Sequence, residues 1–176
     1  MSERLLLPPR YHEIDDDTPL IFLAGPIQGA DDWQTPTAEN LLAHNDRLAV
    51  ASPRLHRKEA DFNKQAQVFW ELDHIWRASR LGGVAFWWAA QNHSLPYKEG
   101  RSYGQTSRFE LGAISMAQKI DPEVRAWIGY DPAYTPGGGG SQEYAELMRE
   151  WFVPGDEIFT SLDDMIEAIK IDTADF

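Results

Sequence analysis

The chain's 176 residues suffice for one ordinary domain with its own core, since domains cluster near roughly 100–150 residues, and are too few for a two-domain enzyme. Hydrophobic residues at 43% and charged residues at 25% give a globular balance, which rules out disorder as the main state. The net charge of −12 argues against nucleic-acid polymers, whose binding relies on Lys and Arg neutralising phosphates. Zero Cys removes disulfides and thiolate nucleophiles, and the five His show no His-Glu-x-x-His spacing, so neither a metal nor a cofactor is expected. No run of about 20 apolar residues is present, and the start lacks the length of a signal-peptide core. The expectation is a cytoplasmic protein with no membrane partner.

In chain order, a polar lead over 1–19 ends at Leu20-Ile21-Phe22-Leu23-Ala24. This short apolar run, stopped by Gly25-Pro26, reads as a strand buried on both faces. A helix over 37–45 and a strand over 47–52, halted by Pro53, come next. The spacing then predicts a strong helix over 63–79, with Val68, Phe69, Leu72, Ile75 and Trp76 as its packing stripe. Residues 82–88 read as a third buried strand, followed by a polar loop over 91–105. A helix starting at Ser107 carries the stripe Phe109, Ala113, Met116, Ala117 and Ile120. A strand over 124–130, a flexible glycine run at 137–140, a helix over 142–152, a short strand over 157–159 and a last helix from Ser161 complete the chain. Strand and helix thus alternate about five times. Because each parallel crossover needs a helix, the expected fold is an α/β/α sandwich around a mostly parallel sheet of about five strands.

Charge is unevenly spread. Residues 141–176 carry −8 and 1–52 carry −6, whereas 53–80 carry +2 and 81–140 are neutral. A small ligand, neutral or phosphorylated, fits the middle of the chain. In open sheets it binds beyond the carboxyl ends of the strands, where strand order reverses. That places the loop from Gly25 to Gln34 and the stretch from Trp87 to Glu110 at the expected cleft. Gly25, Ile27 and Gln28 would line it through backbone and amide groups, and Gln105 and Ser107 would offer bonds to hydroxyls.

Two carboxylates are candidates for chemistry. Ser107-Arg108-Phe109-Glu110 has a capping-box pattern, in which Glu110 bonds back to the helix start, yet the same position puts Glu110 at the pocket rim, where it can attack an electrophilic carbon. Glu71 borders the apolar stripe of its helix and either snorkels outward or faces the same pocket. Paired carboxylates of this kind suit glycosidic chemistry, one as nucleophile and the other orienting or protonating. Asp73 is rotated off that face. Trp33 and Trp87 are expected to wall a planar ring, with only one of Trp87 and Trp88 in the site because strand neighbours point to opposite faces. The basic cluster Arg54, His56, Arg57 and Lys58 is either a solvated loop or a phosphate contact.

Together, Ile21-Phe22-Leu23-Ala24-Gly25-Pro26-Ile27, Asp32-Trp33-Gln34, Phe69-Trp70-Glu71 with His74 and Ala78, Val84-Ala85-Phe86-Trp87 and Phe109-Glu110-Leu111-Gly112 resemble the nucleoside 2-deoxyribosyltransferase-like proteins. The broader relatives include the 2'-deoxynucleoside 5'-phosphate N-hydrolases. The resemblance covers roughly residues 20–130. It implies a flavodoxin-like sheet, attack by Glu110 on the anomeric carbon of a 2-deoxyribonucleoside, assistance by Glu71, no cofactor and a homo-oligomer. Two features depart from the transferase pattern: Trp87-Trp88 stand where many have an Asp, and the acidic end over 172–176 has no motif fixing it on a sugar. Hydrolysis of nucleoside 5'-phosphates, cleavage of a nicotinamide–ribose bond and a non-catalytic nucleoside-binding module therefore remain open beside base transfer.

Overall fold

In the computed structural model residues 3–55, 63–97, 100, 102–134 and 141–176 are described, the side chains at 141, 142, 144 and 145 excepted. The elements run β1 (Leu5–Leu6), β2 (Leu20–Ala24), α1 (Gln34–His44), β3 (Ala49–Ala51), α2 (Lys64–Leu81), β4 (Gly83–Trp88), α3 (Gln105–Ile120), β5 (Ala126–Tyr130), α4 (Ser141–Phe152), β6 (Ile158–Phe159) and α5 (Leu162–Asp172). All strands pair in parallel in the order β1-β3-β2-β4-β5-β6. Leaving β1 aside, this is the flavodoxin-like order, with its switch point between β2 and β4.

The expected α/β/α architecture is present, with one strand more than the sequence suggested. That strand comes from the polar lead, where Leu5 and Leu6 pair with Val50 and Ala51. The Arg4 guanidinium fixes it by donating to the carbonyls of Leu42, Asn45 and Leu48. Two residues are too short to show a periodicity.

Every residue of β2, β3 and β4 is buried, as their continuous apolar runs require. Full burial of side chains such as Phe22 and Leu23 contributes about 2 kcal/mol each relative to exposure. Helices α1 and α5 contact each other on one face of the sheet, and α2, α3 and α4 cover the other. This division follows from right-handed crossovers: β2 to β3 runs one way along the sheet, and every later connection runs the opposite way. Trp127 marks the first face, because its indole donates to Asp172 of α5 at 2.7 Å. Phe22 marks the second, with its ring centroid 6.3 Å from that of Trp70 on α2.

Two predicted packing stripes are corrected by the structure. On α2 the buried side is Trp70, His74, Ile75, Ala78 and Ser79, while Val68, Phe69, Leu72 and Trp76 are exposed. On α3 the buried side is Ser107, Leu111, Ile114 and Ser115, while Phe109, Met116 and Ile120 are exposed. Both helices carry apolar residues on two sides, so a 3.6-residue period identifies a stripe without saying which one meets the sheet.

Candidate active site

The loop after β2 turns at Gly25, whose φ of 151° suits glycine alone. A Cβ there would lie 2.2 Å from the Trp87 carbonyl oxygen and 2.8 Å from the Trp33 ring, so the end of β2 presses directly on the backbone of β4. Pro26 offers its carbonyl to Trp33 Nε1 at 3.2 Å and to Gln34 Nε2 at 3.4 Å. Arg54, at the carboxyl end of β3, braces the same loop. Its Nε donates to Gln34 Oε1 at 2.8 Å, its Nη2 donates to the Asp31 carbonyl at 2.9 Å, and Asp32 lies 3.2 Å away. This guanidinium is therefore committed to protein contacts. His56, Arg57 and Lys58 of the same cluster lie outside the described residues, as does the glycine run at 137–140.

The loop after β4 is tied to the first. Asn92 donates its backbone N–H to the Gly29 carbonyl at 2.8 Å and its side-chain amide to Asp31 at 2.8 Å. Tyr97 and Tyr103 stand beside Gly29, and the Tyr103 hydroxyl donates to the carbonyls of Ala89 and Ala90. Of the residues expected to line the cleft, Gln28 is exposed, Ile27 is half-buried and Gly25 is partly covered.

The tryptophans divide between the two faces of the sheet. Trp87 pairs with Gly129, two residues beyond Trp127, so it points to the α1/α5 side and packs over Gly129. Trp33 and Trp87 are 5% and 4% exposed, which leaves little of either ring for a ligand to stack on. Trp88 is the member of the pair that shares a sheet face with α2 and α3. Its ring lies against Gly104, 5.6 Å from Tyr134, with Arg108 at 6.0 Å over it. Trp87 is the member expected to wall the ring; alternation requires only that one of the two face this side, and register against β5 makes it Trp88.

Helix α3 begins earlier than its sequence pattern suggested. Gly104 is the N-cap, in the left-handed region at φ 64°, and Ser107 is the third helical residue. The capping box read into Ser107 and Glu110 is accordingly absent, because Ser107 is inside the helix and Glu110 sits in its second turn. No side chain caps α3, so its first-turn N–H groups point toward the carboxyl edge of the sheet with the positive end of the helix dipole. Gln105 is exposed at that end and Ser107 is buried.

Glu110 and Glu71 are both half-buried and act on one another. Burial first, and the negative charge of Glu71 second, push the Glu110 carboxyl up to about 7 from its ordinary 4.5. Gln67, one turn earlier on α2, donates to Glu71 Oε1 at 2.8 Å and fixes its orientation. Asp73 points elsewhere and accepts from the Tyr11 hydroxyl at 2.6 Å. His74 stacks on Trp70 at 3.9 Å with Nδ1 2.7 Å from the Trp70 carbonyl, and burial holds its pKa below the ordinary value. That makes it a packed, neutral imidazole at neutral pH.

Arg108 stands two residues before Glu110 on α3. Its Nη2 lies 3.4 Å from the Tyr134 hydroxyl, and among the described residues no carboxylate pairs with it. No group of three or more His, Asp or Glu among the described residues converges in a way that could hold a metal ion. No helix among the described residues is long and apolar enough to cross a membrane. Comparison of the sequence with protein-family models gives no match, and comparison with curated proteins gives none either.

Proposed function

We propose that this protein cleaves the N-glycosidic bond of a 2-deoxyribonucleoside or a close relative, with Glu110 as nucleophile and Glu71 as its partner. The observation that carries the proposal is the coupled carboxylate pair, in which the charge of Glu71 adds to burial in raising Glu110 to about 7. Two neighbouring carboxylates that resist joint ionisation retain one proton near neutral pH. One proton is what the first step requires. The proton rests on Glu110; its transfer to Glu71 frees Glu110 to form a bond to C1' as the C1'–N bond breaks with its electron pair leaving on the base, and Glu71 then passes the proton to that base. In the second step an acceptor base or water attacks C1', displaces Glu110 and loses a proton to the pair. The loop from Gly25 to Gln34 would line the base through its backbone, whereas Trp88, 6% exposed, is as covered as Trp33 and Trp87.

A second reading, in which the substrate carries a 5'-phosphate, is favoured by Arg108. It is a cation without a carboxylate partner among the described residues, close to the uncapped end of α3, and this is an environment that attracts an oxyanion. Incubation with deoxynucleosides and their 5'-monophosphates, with and without a free base, followed by chromatography of the products, tests both readings. Base release is expected, with kcat/KM falling above about pH 7 as the pair loses its shared proton. A phosphate preference that disappears in Arg108→Gln would select the nucleotide. Absence of base release from every substrate, or full activity in Glu110→Gln, would sink the proposal.

A further inference from the structure

Gln67 joins the carboxylate pair to the end of another strand. It lies on α2 one turn before Glu71 and is half-buried. Its backbone N–H donates to the Asn63 carbonyl at 3.1 Å, so the side-chain amide is not needed to hold the helix. That amide is engaged twice: Nε2 donates to Glu71 Oε1 at 2.8 Å and to the Pro53 carbonyl at 3.4 Å. Both neighbours are acceptors, so only the NH2 edge of the amide suits them, and a turned-over amide would set lone pairs against lone pairs. One nitrogen with two hydrogens thus meets two oxygens.

Pro53 lies just beyond β3 and immediately before Arg54, whose guanidinium braces the loop from Gly25 to Gln34. Gln67 therefore fixes Glu71 against the same stretch of backbone that carries the brace of the cleft loop. The place of Glu71 relative to a bound base is then set by the sheet instead of by free rotation of its side chain, and small misplacements of a reacting group are costly. A neutral amide also suits a carboxylate that has to gain and lose a proton. A guanidinium at 67 would hold Glu71 as the anion, whereas an amide donates to Oε1 in both protonation states.

We propose that Gln67 is a positioning residue for the reaction put forward above, on which its role rests: it holds Glu71 where that carboxylate takes the proton from Glu110 and passes it to the leaving base. Gln67→Met keeps the length of the side chain and removes both donors. In steady-state assays on a deoxynucleoside it is expected to lower kcat by about 10–100-fold and to leave KM within about twofold, as for a group that acts only through Glu71. The loss should shrink to about threefold or less with 4-nitrophenyl 2-deoxyriboside, whose leaving group departs as a stable anion and needs little help from a proton. Added to Glu71→Gln, Gln67→Met should cost nothing more, because its effect passes through Glu71. Circular dichroism checks that the variant is folded, and Gln67→Asn, whose amide is one methylene short of Glu71, takes its place if it is not. Base release by the parent with full kcat in the folded variant overturns the role of Gln67 and leaves the reaction standing. An equal loss on both substrates, or a further loss beyond Glu71→Gln, has the same meaning. Absence of base release by the parent from every substrate removes the reaction and the role of Gln67 together.

Discussion

The two faces of the sheet are finished to different degrees. On the α1/α5 side, α1 exposes no large apolar residue and α5 exposes one, Ile171. On the other side, Val68, Phe69, Leu72, Trp76 and Leu81 of α2, Phe109, Met116 and Ile120 of α3, and Leu147 and Trp151 of α4 all reach solvent. The coupled carboxylates lie on this second side. Folding alone explains the first face, because its apolar residues are consumed by the sheet. The second holds more apolar surface than the sheet buries, and it is also the side on which Glu71 and Glu110 meet.

Substitutions can test this difference. The largest effect is expected at the carboxylates, where Glu110→Gln should reduce base release by about 10³-fold or more, and Glu71→Gln by less, in steady-state assays. Next come the two sides of α2. Trp70→Ala, at the sheet-facing side and with its indole bonded to the Arg10 carbonyl at 2.8 Å, should cost about 3–5 kcal/mol in urea unfolding. Trp76→Ala on the outer side should cost the single chain about 0.5 kcal/mol or less. Similar losses at both positions would remove the distinction between inner and outer stripes.

A smaller effect depends on pH. The folded-state pKa of Glu110 lies above its unfolded value, so the folded chain binds the extra proton between about pH 4.5 and pH 7. Ionising Glu110 therefore disfavours the fold, and its contribution falls as pH rises through that window and stays low above it. Glu110→Gln should stabilise the protein by up to about 3 kcal/mol at pH 8 and by almost nothing at pH 4, measured by thermal melts at both values. The smallest difference concerns helix starts. Asn63 accepts from the Ala66 N–H and caps α2, so Asn63→Ala should cost about 1 kcal/mol. Ser107 caps nothing, and Ser107→Ala should leave the helix start of α3 unchanged.

Much of the fold is legible in the sequence because the inner strands are continuous apolar runs ended by Gly or Pro, as at Ala24-Gly25-Pro26. The start of α2 is legible at Asn63 for the same kind of local reason. Other features are decided by tertiary contacts. Gly104 starts α3 because the Trp88 ring occupies the space of a side chain there, and nothing local distinguishes this from a start at Ser107. Which of Trp87 and Trp88 faces α3 is set by register against β5. The bracing role of Arg54 was hidden because a basic run after Pro53 looks like any solvated loop. The proximity of Glu71 and Glu110, by contrast, was readable from their places on α2 and α3, the consecutive helices before and after β4.

The end of β4 also shapes how the two loops can diverge over time. Position 25 is blocked by the carbonyl of residue 87, a main-chain atom that any residue there would supply, so glycine should persist at 25 whatever happens to the Trp87 ring. Position 104 is blocked 2.7 Å away by the side chain of Trp88. A lineage that lost this indole would free 104 to accept Asn, which tolerates left-handed backbone, and the two positions should therefore drift together. Adjacent residues of one strand thus leave different evolutionary records: an immobile glycine on one loop, and a correlated pair on the other.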